Sequence, residues 1–210
     1  MHLSVDTPVS YAVEGSVDAA AVRKLLRELR LIAGTEYIRN GKAGLDASLA
    51  GYNSAARFSP WIVLRDLDKD APCASRLRGN LLPHEAEYLF LRIAVRAVES
   101  WLMADGEAIA TFLHVSPSRI PKAPDLEEHP KTTIVNLARH SRRRVIREGM
   151  VPRIGSGISV GPEYTGMLVE FAEQQWSPTR AAKFGRSPSL TRSLACLQGV
   201  TERRHWCMTR

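Results

Sequence analysis

Acidic residues cluster where three hydrophobic segments of the chain end. Asp66 and Asp68 follow the apolar segment WIVLR. Glu14 follows YAV, and Glu99 follows RIAVRAV. Carboxylates that converge at one place repel one another unless a cation neutralises them. Oxygen ligands without cysteine or histidine suit Mg²⁺ or Mn²⁺ better than zinc, so we predict that these acids bind a divalent metal ion.

Asp18 extends this group, because it lies one helical turn beyond Glu14 and can face the same space. A single acid after a strand is often a turn former or a helix cap instead. That interpretation is favoured for Asp70, which stands close to a proline, and for Glu14 the two interpretations are equally open. Turn chemistry does not require acids at several strand ends at once, so the ligand interpretation is favoured for Asp66 and Asp68.

Strand and helix patterns alternate through residues 1–115. Apolar runs and alternating residues predict strands, and apolar residues spaced three and four apart predict the helices between them. Such alternation indicates an α/β fold with a Rossmann-like, mostly parallel sheet covered by helices on both faces. In an open parallel sheet, ligands bind at the carboxyl ends of the strands, where the acids lie. The predicted strands are 9–15, 35–40, 61–66 and 87–99, and the predicted helices are 16–34, 44–57, 72–82 and 100–114.

Residues 116–210 are predicted to form a helical portion packed on the α/β core of residues 1–115, because the strand patterns stop there. The glycine-rich segment Gly155–Gly161 lies between the first two helices of this portion. It lacks the Lys-Ser/Thr ending of a P-loop, so we interpret it as a flexible connection, with a phosphate cradle as the alternative. The predicted helices are Lys131–Glu148, Tyr164–Trp176 and Pro188–Leu197.

The composition is that of an ordinary globular protein, with 44% hydrophobic and 24% charged residues in a chain of 210. No apolar run approaches the roughly 20 residues of a membrane span. The N-terminal stretch lacks the pattern of a secretory signal, so we expect a cytoplasmic protein without a membrane partner. Cys73, Cys196 and Cys207 form no CxxC pair and the six histidines are scattered, which argues against a disulfide framework and against zinc.

The net charge of +7 indicates an anionic partner, of which nucleic acid is the commonest. Arg142, Arg143 and Arg144 could contact phosphates through their planar guanidinium groups. A solvated helix face, or pairing within the chain, is the equally open alternative. Arg65 stands next to Asp66, where it could either neutralise the acids or orient a substrate phosphate.

Two features of the chain resemble the Toprim domain of topoisomerases, primases and overcoming-lysogenization-defect (OLD) type nucleases. VEGSVD (13–18) places an acid after the first strand, and DLD (66–68) follows a later strand. The spacing of Glu14 and Asp18 is most similar to the OLD-nuclease branch. The segments VESWLMAD, HPKTTIVNLARHSRRR and VGPEYTGMLVEF further resemble a bacterial family of small Toprim-like proteins of unassigned function, often encoded near ATPases in defence or mobile loci.

The resemblance implies a nuclease that hydrolyses phosphodiester bonds in DNA or RNA with Mg²⁺ or Mn²⁺. Two metal ions in such a site activate a water and stabilise the leaving oxygen. By the same resemblance, the catalytic residues would be Glu14, Asp66, Asp68 and Lys131. One metal would be bound by Glu14, Asp18 and Asp66, and Asp68 with Glu99 would help to bind a second.

The family pattern is incomplete at one position, and one residue has an ordinary alternative. Ala97 stands where the family carries a serine, close to the acid Glu99. This departure from the family pattern concerns the second metal, which Asp68 and Glu99 would help to bind. Lys131 follows Pro130 at a helix start, where a lysine is often simply solvated. A different function therefore stays open, that of a non-catalytic regulatory or binding partner of a separately encoded ATPase.

Overall fold

The computed structural model describes residues 7–206, with side chains described as far as residue 199. Residues 1–6 of the N-terminal stretch, Cys207 and the last three residues of the predicted helical portion lie outside this range. Four parallel strands within it form one sheet in the order β2-β1-β3-β4. This confirms the predicted α/β class with a mostly parallel sheet. The strands are β1 (Val9–Val13), β2 (Ala33–Ile38), β3 (Trp61–Asp66) and β4 (Leu89–Ala94).

Helices connect the strands, and helices joined by loops follow β4 in the part of the chain that the structure describes. No helix among residues 7–206 is long and apolar enough to cross a membrane. The helices are α1 (Ser16–Glu28), α2 (Lys42–Ala55), α3 (Ala74–Leu81), α4 (Val98–Ala104), α5 (Gly106–Leu113), α6 (Pro130–Arg139), α7 (Arg144–Met150), α8 (Tyr164–Gln174), α9 (Pro178–Lys183) and α10 (Pro188–Trp206).

The predicted strand 87–99 is shorter in the structure than the hydrophobic pattern indicated. β4 ends at Ala94, and Glu99 lies in the first turn of α4 instead of at a strand end. A carboxylate oxygen of Asp66 accepts a hydrogen bond from the backbone N–H of Val98 at 2.9 Å. This bond satisfies one of the free N–H groups at the start of α4. The strand therefore stops because a distant side chain stabilises a helix start there.

Two predicted helices are each interrupted by a buried polar residue. Asp105 separates α4 from α5, and its carboxylate accepts hydrogen bonds from the backbone N–H of Ser177 and from the Arg180 guanidinium. Ser141 separates α6 from α7, and its hydroxyl accepts the N–H of Arg143 at 3.1 Å. Such local and long-range bonds compete with helix continuation. The single predicted helices 100–114 and 131–148 are therefore wrong.

The predicted end of the first helix is also wrong. α1 ends at Glu28, and Gly34 lies inside β2 instead of closing the helix. The backbone of Gly34 passes so close to Ser10 of β1 that an added Cβ would meet the Ser10 nitrogen at 3.0 Å. Gly34 is therefore required by strand pairing and not by a helix cap.

The sheet separates two hydrophobic clusters, because side chains alternate between the faces of each strand. On β3, Ile62 packs in the cluster with α1 and the C-terminal helices, whereas Val63 packs with α2 and α3. α1 packs extensively against α8. Trp176 is fully buried, and its indole N–H donates to the carbonyl of Trp101 at 3.1 Å. The helices that follow residue 116 thus share a core with the sheet.

Candidate functional site

The parallel pairing of the strands brings the predicted acids to one edge of the sheet. Val13 pairs with Leu64 and Asp66 pairs with Ala94, so β1, β3 and β4 end close to one another. The first turns of α1 and α4 follow at this edge. A cavity of about 260 Å³ lies there. Its wall includes Asp18, Asp66, Glu99, Lys131 and Tyr164.

Backbone N–H groups fix the orientation of three carboxylates at this edge. Gly15 N donates to Asp18 Oδ2 at 3.0 Å, which ties the acid back to the start of its own helix. Asp66 N donates to Glu14 Oε1 at 2.9 Å, and the carboxylate of Asp66 is held by the start of α4 as described above. Each of these bonds uses one oxygen of its carboxylate and leaves the other available.

Two of the carboxylate oxygens in the cavity are buried and unpaired. Asp18 Oδ1 and Glu99 Oε2 have no hydrogen-bond partner among the described residues, and the two residues are only 6% and 2% exposed. A buried polar atom without a partner is costly and needs an explanation, such as an ion. Hard carboxylate oxygens are suitable ligands for Mg²⁺ or Mn²⁺. The residues present therefore fit a divalent cation.

The side chains are not yet arranged as a finished metal site. No group of three or more acidic, histidine or cysteine side chains in the described part of the chain is placed so that it could hold a metal ion. Each carboxylate accepts a bond that fixes one oxygen, so the free oxygens point in directions set by separate backbone elements.

The electrostatics of the cavity disfavour a full set of negative charges. Burial raises the pKa of Asp18 to about 7, and the charges of Glu99 and Glu14 add to the effect. Burial also raises the pKa of Asp66 well above its ordinary value, with further contributions from Asp18 and Glu99. Burial has the same effect on the pKa values of Glu14 and Glu99. The pKa of Asp18 lies close to neutral pH, so this carboxyl is only partly ionised there unless a cation displaces its proton.

Lys131 lies on the wall of this cavity and also of a neighbouring one of about 480 Å³. The charge of Glu99 raises the pKa of Lys131, with further contributions from Asp66 and Asp18. No carboxylate of the described residues forms a direct ion pair with it. Lys131 is thus a protonated amine near the acids without being bound to any one of them. Lys131 is exposed, so its position is compatible with a functional role and with simple solvation.

Asp68 lies apart from the other predicted ligands. It faces the neighbouring cavity, is partly exposed, and adopts a left-handed backbone conformation with φ of 47°. Lys42 Nζ lies 3.4 Å from its Oδ2. The family resemblance grouped Asp68 with Glu99, whereas the structure places Glu99 with Asp18 and Asp66. The difference follows from the early end of β4, which puts Glu99 on a helix.

Arg65 is buried on the opposite face of β3 from Asp66, at 2% exposure. Its guanidinium donates to both carboxylate oxygens of Asp46 at 3.0 and 3.2 Å and to Asp70 at 2.5 Å. It also lies 3.4 Å from Glu14 Oε1. These contacts leave little of the guanidinium for a substrate phosphate. The structure therefore favours the neutralising role of Arg65 over nucleic-acid binding.

Asp70 has a structural role beyond the turn that the sequence predicted. Its carboxylate accepts hydrogen bonds from Lys42 at 2.7 Å and from Arg65. These two donors hold the pKa of Asp70 below its ordinary value. Lys42 also reaches Asp68, so one lysine links the two acids that follow β3. Ion pairs of Asp70 with Lys42 and Arg65 therefore fix the turn that follows β3.

Arg142, Arg143 and Arg144 are exposed at the junction of α6 and α7, outside both cavities. Arg144 Nε donates to Glu148 Oε1 at 2.7 Å, one helical turn further along α7. Exposed pairs of this kind are weak, so they do not prevent contact with an anion. Both interpretations of this stretch, phosphate contact and internal pairing, are therefore compatible with the positions of its side chains.

Two further residues of the cavity come from the C-terminal portion. Tyr164 is 3% exposed, and its hydroxyl lies 3.4 Å from Glu99 Oε1, within hydrogen-bonding range. Ser159, from the glycine-rich segment, lies on the wall of both cavities. A tyrosine at a helical core position carries no sequence signal of such a contact. The nearby glycines of the segment are the signal that could have drawn attention to Ser159.

Comparison with protein-family models, with curated proteins and with solved structures finds no match to this chain.

Proposed function

We propose that this protein hydrolyses phosphodiester bonds in DNA or RNA with the help of Mg²⁺ or Mn²⁺. The observation that carries the proposal is the pair of buried, unpaired oxygens on Asp18 and Glu99, beside Asp66 and within a cavity that also contains Lys131. Buried carboxylate oxygens without a partner destabilise a folded protein unless a ligand binds them. A nucleic-acid substrate agrees with the net charge of +7.

The cation would be held by Asp18, Asp66 and Glu99. Glu14 would help to position Asp66, because its carboxylate accepts a hydrogen bond from the backbone N–H of Asp66. A bound divalent cation would supply neutralising charge and polarise both the phosphodiester and the attacking water. Lys131 would offset the negative charge that develops on the phosphate, because the surrounding acids keep it protonated. In the reaction, a water oxygen forms a bond to phosphorus, the P–O ester bond breaks, and the leaving oxygen takes a proton.

The neighbouring cavity offers a path for the substrate backbone. Lys131 joins it to the carboxylate cavity, the one lined by Asp18, Asp66 and Glu99. Lys42 and Lys69 on its wall are paired with Asp70 and Glu128, so Arg96 and Lys131 are the cations of this wall that no described carboxylate pairs. Positive side chains along a groove attract the phosphates of a nucleic-acid strand without reading its sequence. We therefore assign the scissile phosphate to the carboxylate cavity and the adjoining phosphates to the larger cavity beside it.

The proposal is tested by cleavage assays on plasmid DNA and on RNA with Mg²⁺ or Mn²⁺. We expect Asp66→Asn to lose about 100-fold or more of the activity, since loss of a supporting group alone can cost that much. Glu170→Gln is the matched control, because Glu170 is exposed on α8 and does not line the carboxylate cavity. Cleavage by Asp66→Asn at the wild-type rate would contradict the proposal.

A non-catalytic partner of a separately encoded ATPase remains the second candidate. The observation that favours it is the absence, in the described part of the chain, of side chains already arranged around a metal position. On this view the protein would act inside the cell and bind a cation or an ATPase without cleaving nucleic acid. Binding of a separately encoded ATPase by the chain, with any cleavage by the complex unchanged when Asp66→Asn replaces wild type, would support this candidate.

A further inference from the structure

A third cavity, of about 240 Å³, lies at the free edge of the sheet, between α3 and α10. β4 is the last strand of the sheet on this side. None of the predicted metal ligands lies on the wall of this cavity. Its polar wall consists of Ser75, Arg78, Arg92, Ser189, Arg192 and Ser193.

Three guanidinium groups meet here with one carboxylate nearby. Arg78 is paired with Glu85, whose Oε2 lies 2.6 Å from Arg78 Nη2. Arg92 and Arg192 take part in none of the ion pairs among the described residues. The cavity therefore has a surplus of positive charge that the described residues do not balance.

Arg92 is the strongest sign of a missing partner. It extends from the middle of β4 into the cavity wall, and its Nε is buried without a hydrogen-bond partner among the described residues. Burial lowers the pKa of Arg92, and the positive charge of Arg78 lowers it further. A buried cationic donor of this kind is stabilised by an anion that accepts its hydrogen bond.

The start of α3 adds neutral donors to the same wall. Cys73 precedes the helix without a side-chain cap, and the first turn has no acidic residue. The backbone N–H groups of Ala74 and Ser75, both on the cavity wall, have no partner within the helix. The partial positive charge of a helix start favours an anion in this position.

We propose that this cavity binds a phosphoryl group. Two unbalanced guanidinium groups match the double negative charge of a phosphate, and each can donate two parallel hydrogen bonds to its oxygens. The group could belong to free phosphate, to a nucleotide or to the terminal phosphate of a nucleic-acid strand. The proposal is independent of the hydrolase function, since no residue of this cavity lines the carboxylate cavity.

The test is calorimetric titration in EDTA, so that the carboxylate cavity takes no part through a metal. The probes are inorganic phosphate, AMP, and a trinucleotide of thymidine with and without a 5′-phosphate. We expect Arg192→Ala to weaken phosphate binding about tenfold or more, because it removes a charged donor. Arg192 is exposed and unpaired, so its removal should leave the fold intact. Arg92→Met is the second variant and should weaken binding at least as much.

Arg76→Ala is the matched control, because Arg76 is an exposed arginine of α3 that does not line the cavity. It should bind phosphate within about twofold of wild type, since the screened charge of an exposed side chain contributes little at a distance. Tighter binding of the 5′-phosphorylated trinucleotide than of phosphate would identify a strand end as the source, and equal binding would identify free phosphate. No phosphate binding by wild type at millimolar concentration, or equal losses in Arg76→Ala and Arg192→Ala, would overturn the proposal.

Discussion

Replacing Asp18 by asparagine should stabilise the metal-free protein at pH 8. Burial raises the pKa of this carboxyl to about 7, so its charged form is held at a cost once the pH exceeds that value. An asparagine has nearly the same shape and carries no charge. Its carbonyl oxygen can still accept the hydrogen bond that Gly15 N donates to Asp18 Oδ2 at 3.0 Å. The substitution therefore removes the repulsion and keeps the contact that orients the side chain.

The size of the effect follows from the pKa difference. The ordinary pKa is 3.8 and the value in the folded protein is about 7. At about 1.4 kcal/mol for each pKa unit, the upper limit on the gain is about 4 kcal/mol. Glu14 and Glu99 share in the repulsion, so we expect about 1 to 4 kcal/mol. For a chain of this length, the melting temperature should rise by at least about 2 °C.

The pH dependence gives the sign of the effect. The unfolded chain releases the Asp18 proton near pH 4, whereas the folded protein keeps it to about pH 7. Between these values the folded state binds more protons, so wild-type stability should fall as the pH rises through this window. Thermal unfolding in EDTA at pH 5 and at pH 8 measures the stability of the folded protein with Asp18 protonated and with Asp18 largely ionised. The advantage of Asp18→Asn over wild type should be large at pH 8 and small at pH 5.

Mg²⁺ provides the control for this experiment. It should raise the melting temperature of wild type at pH 8, and it should raise that of Asp18→Asn much less, because one ligand is missing. Glu170→Gln should behave as wild type throughout. If Asp18→Asn is less stable than wild type by the same amount at both pH values, the carboxylate stabilises the fold and the reasoning from buried repulsion is refuted.

Three further substitutions test other parts of the structure. Lys131→Met should lower the turnover number for nucleic-acid cleavage by about 100-fold while Mn²⁺ binding persists, and unchanged turnover would exclude Lys131 from the reaction. Asp105→Ala should lower the free energy of unfolding by about 3 kcal/mol in denaturant titration, because Arg180 and the Ser177 N–H lose their acceptor; a loss below about 0.5 kcal/mol would contradict this. Replacing the Arg142–Arg144 stretch by glutamines should reduce the salt dependence of nucleic-acid binding by about two to three charges, and an unchanged slope would show that it makes no phosphate contact.

The alternation of strands and helices was sufficient to predict the sheet and the side of it where the acids meet. Glu14 and Asp66 were placed together by one rule, that the carboxyl ends of parallel strands lie at a common edge, and Asp18 was added because it lies one helical turn beyond Glu14. The end of β4 could not be predicted in this way. It depends on the bond from Val98 N to Asp66, which joins positions 32 residues apart and has no counterpart in local hydrophobicity.

The rest of the candidate site depends on tertiary contacts that the sequence does not encode locally. Tyr164 stands at a regular apolar position of α8, so its contact with Glu99 looks like ordinary core packing in the sequence. Arg65 was ambiguous because either role needs the same residue next to the same acids. Its burial against Asp46 favours neutralisation, and Asp46 lies on α2, 19 residues before Arg65 in the chain.

The most direct test of the central claim is a calorimetric titration of wild type and Glu99→Gln with Mn²⁺. The residues around the carboxylate cavity predict that wild type binds the ion and that Glu99→Gln binds it at least about tenfold more weakly. Glu170→Gln, which removes the same charge from an exposed position, should bind as wild type does. Absence of Mn²⁺ binding by wild type at millimolar concentration, or equal binding by Glu99→Gln, would contradict the assignment of this cavity as a metal site.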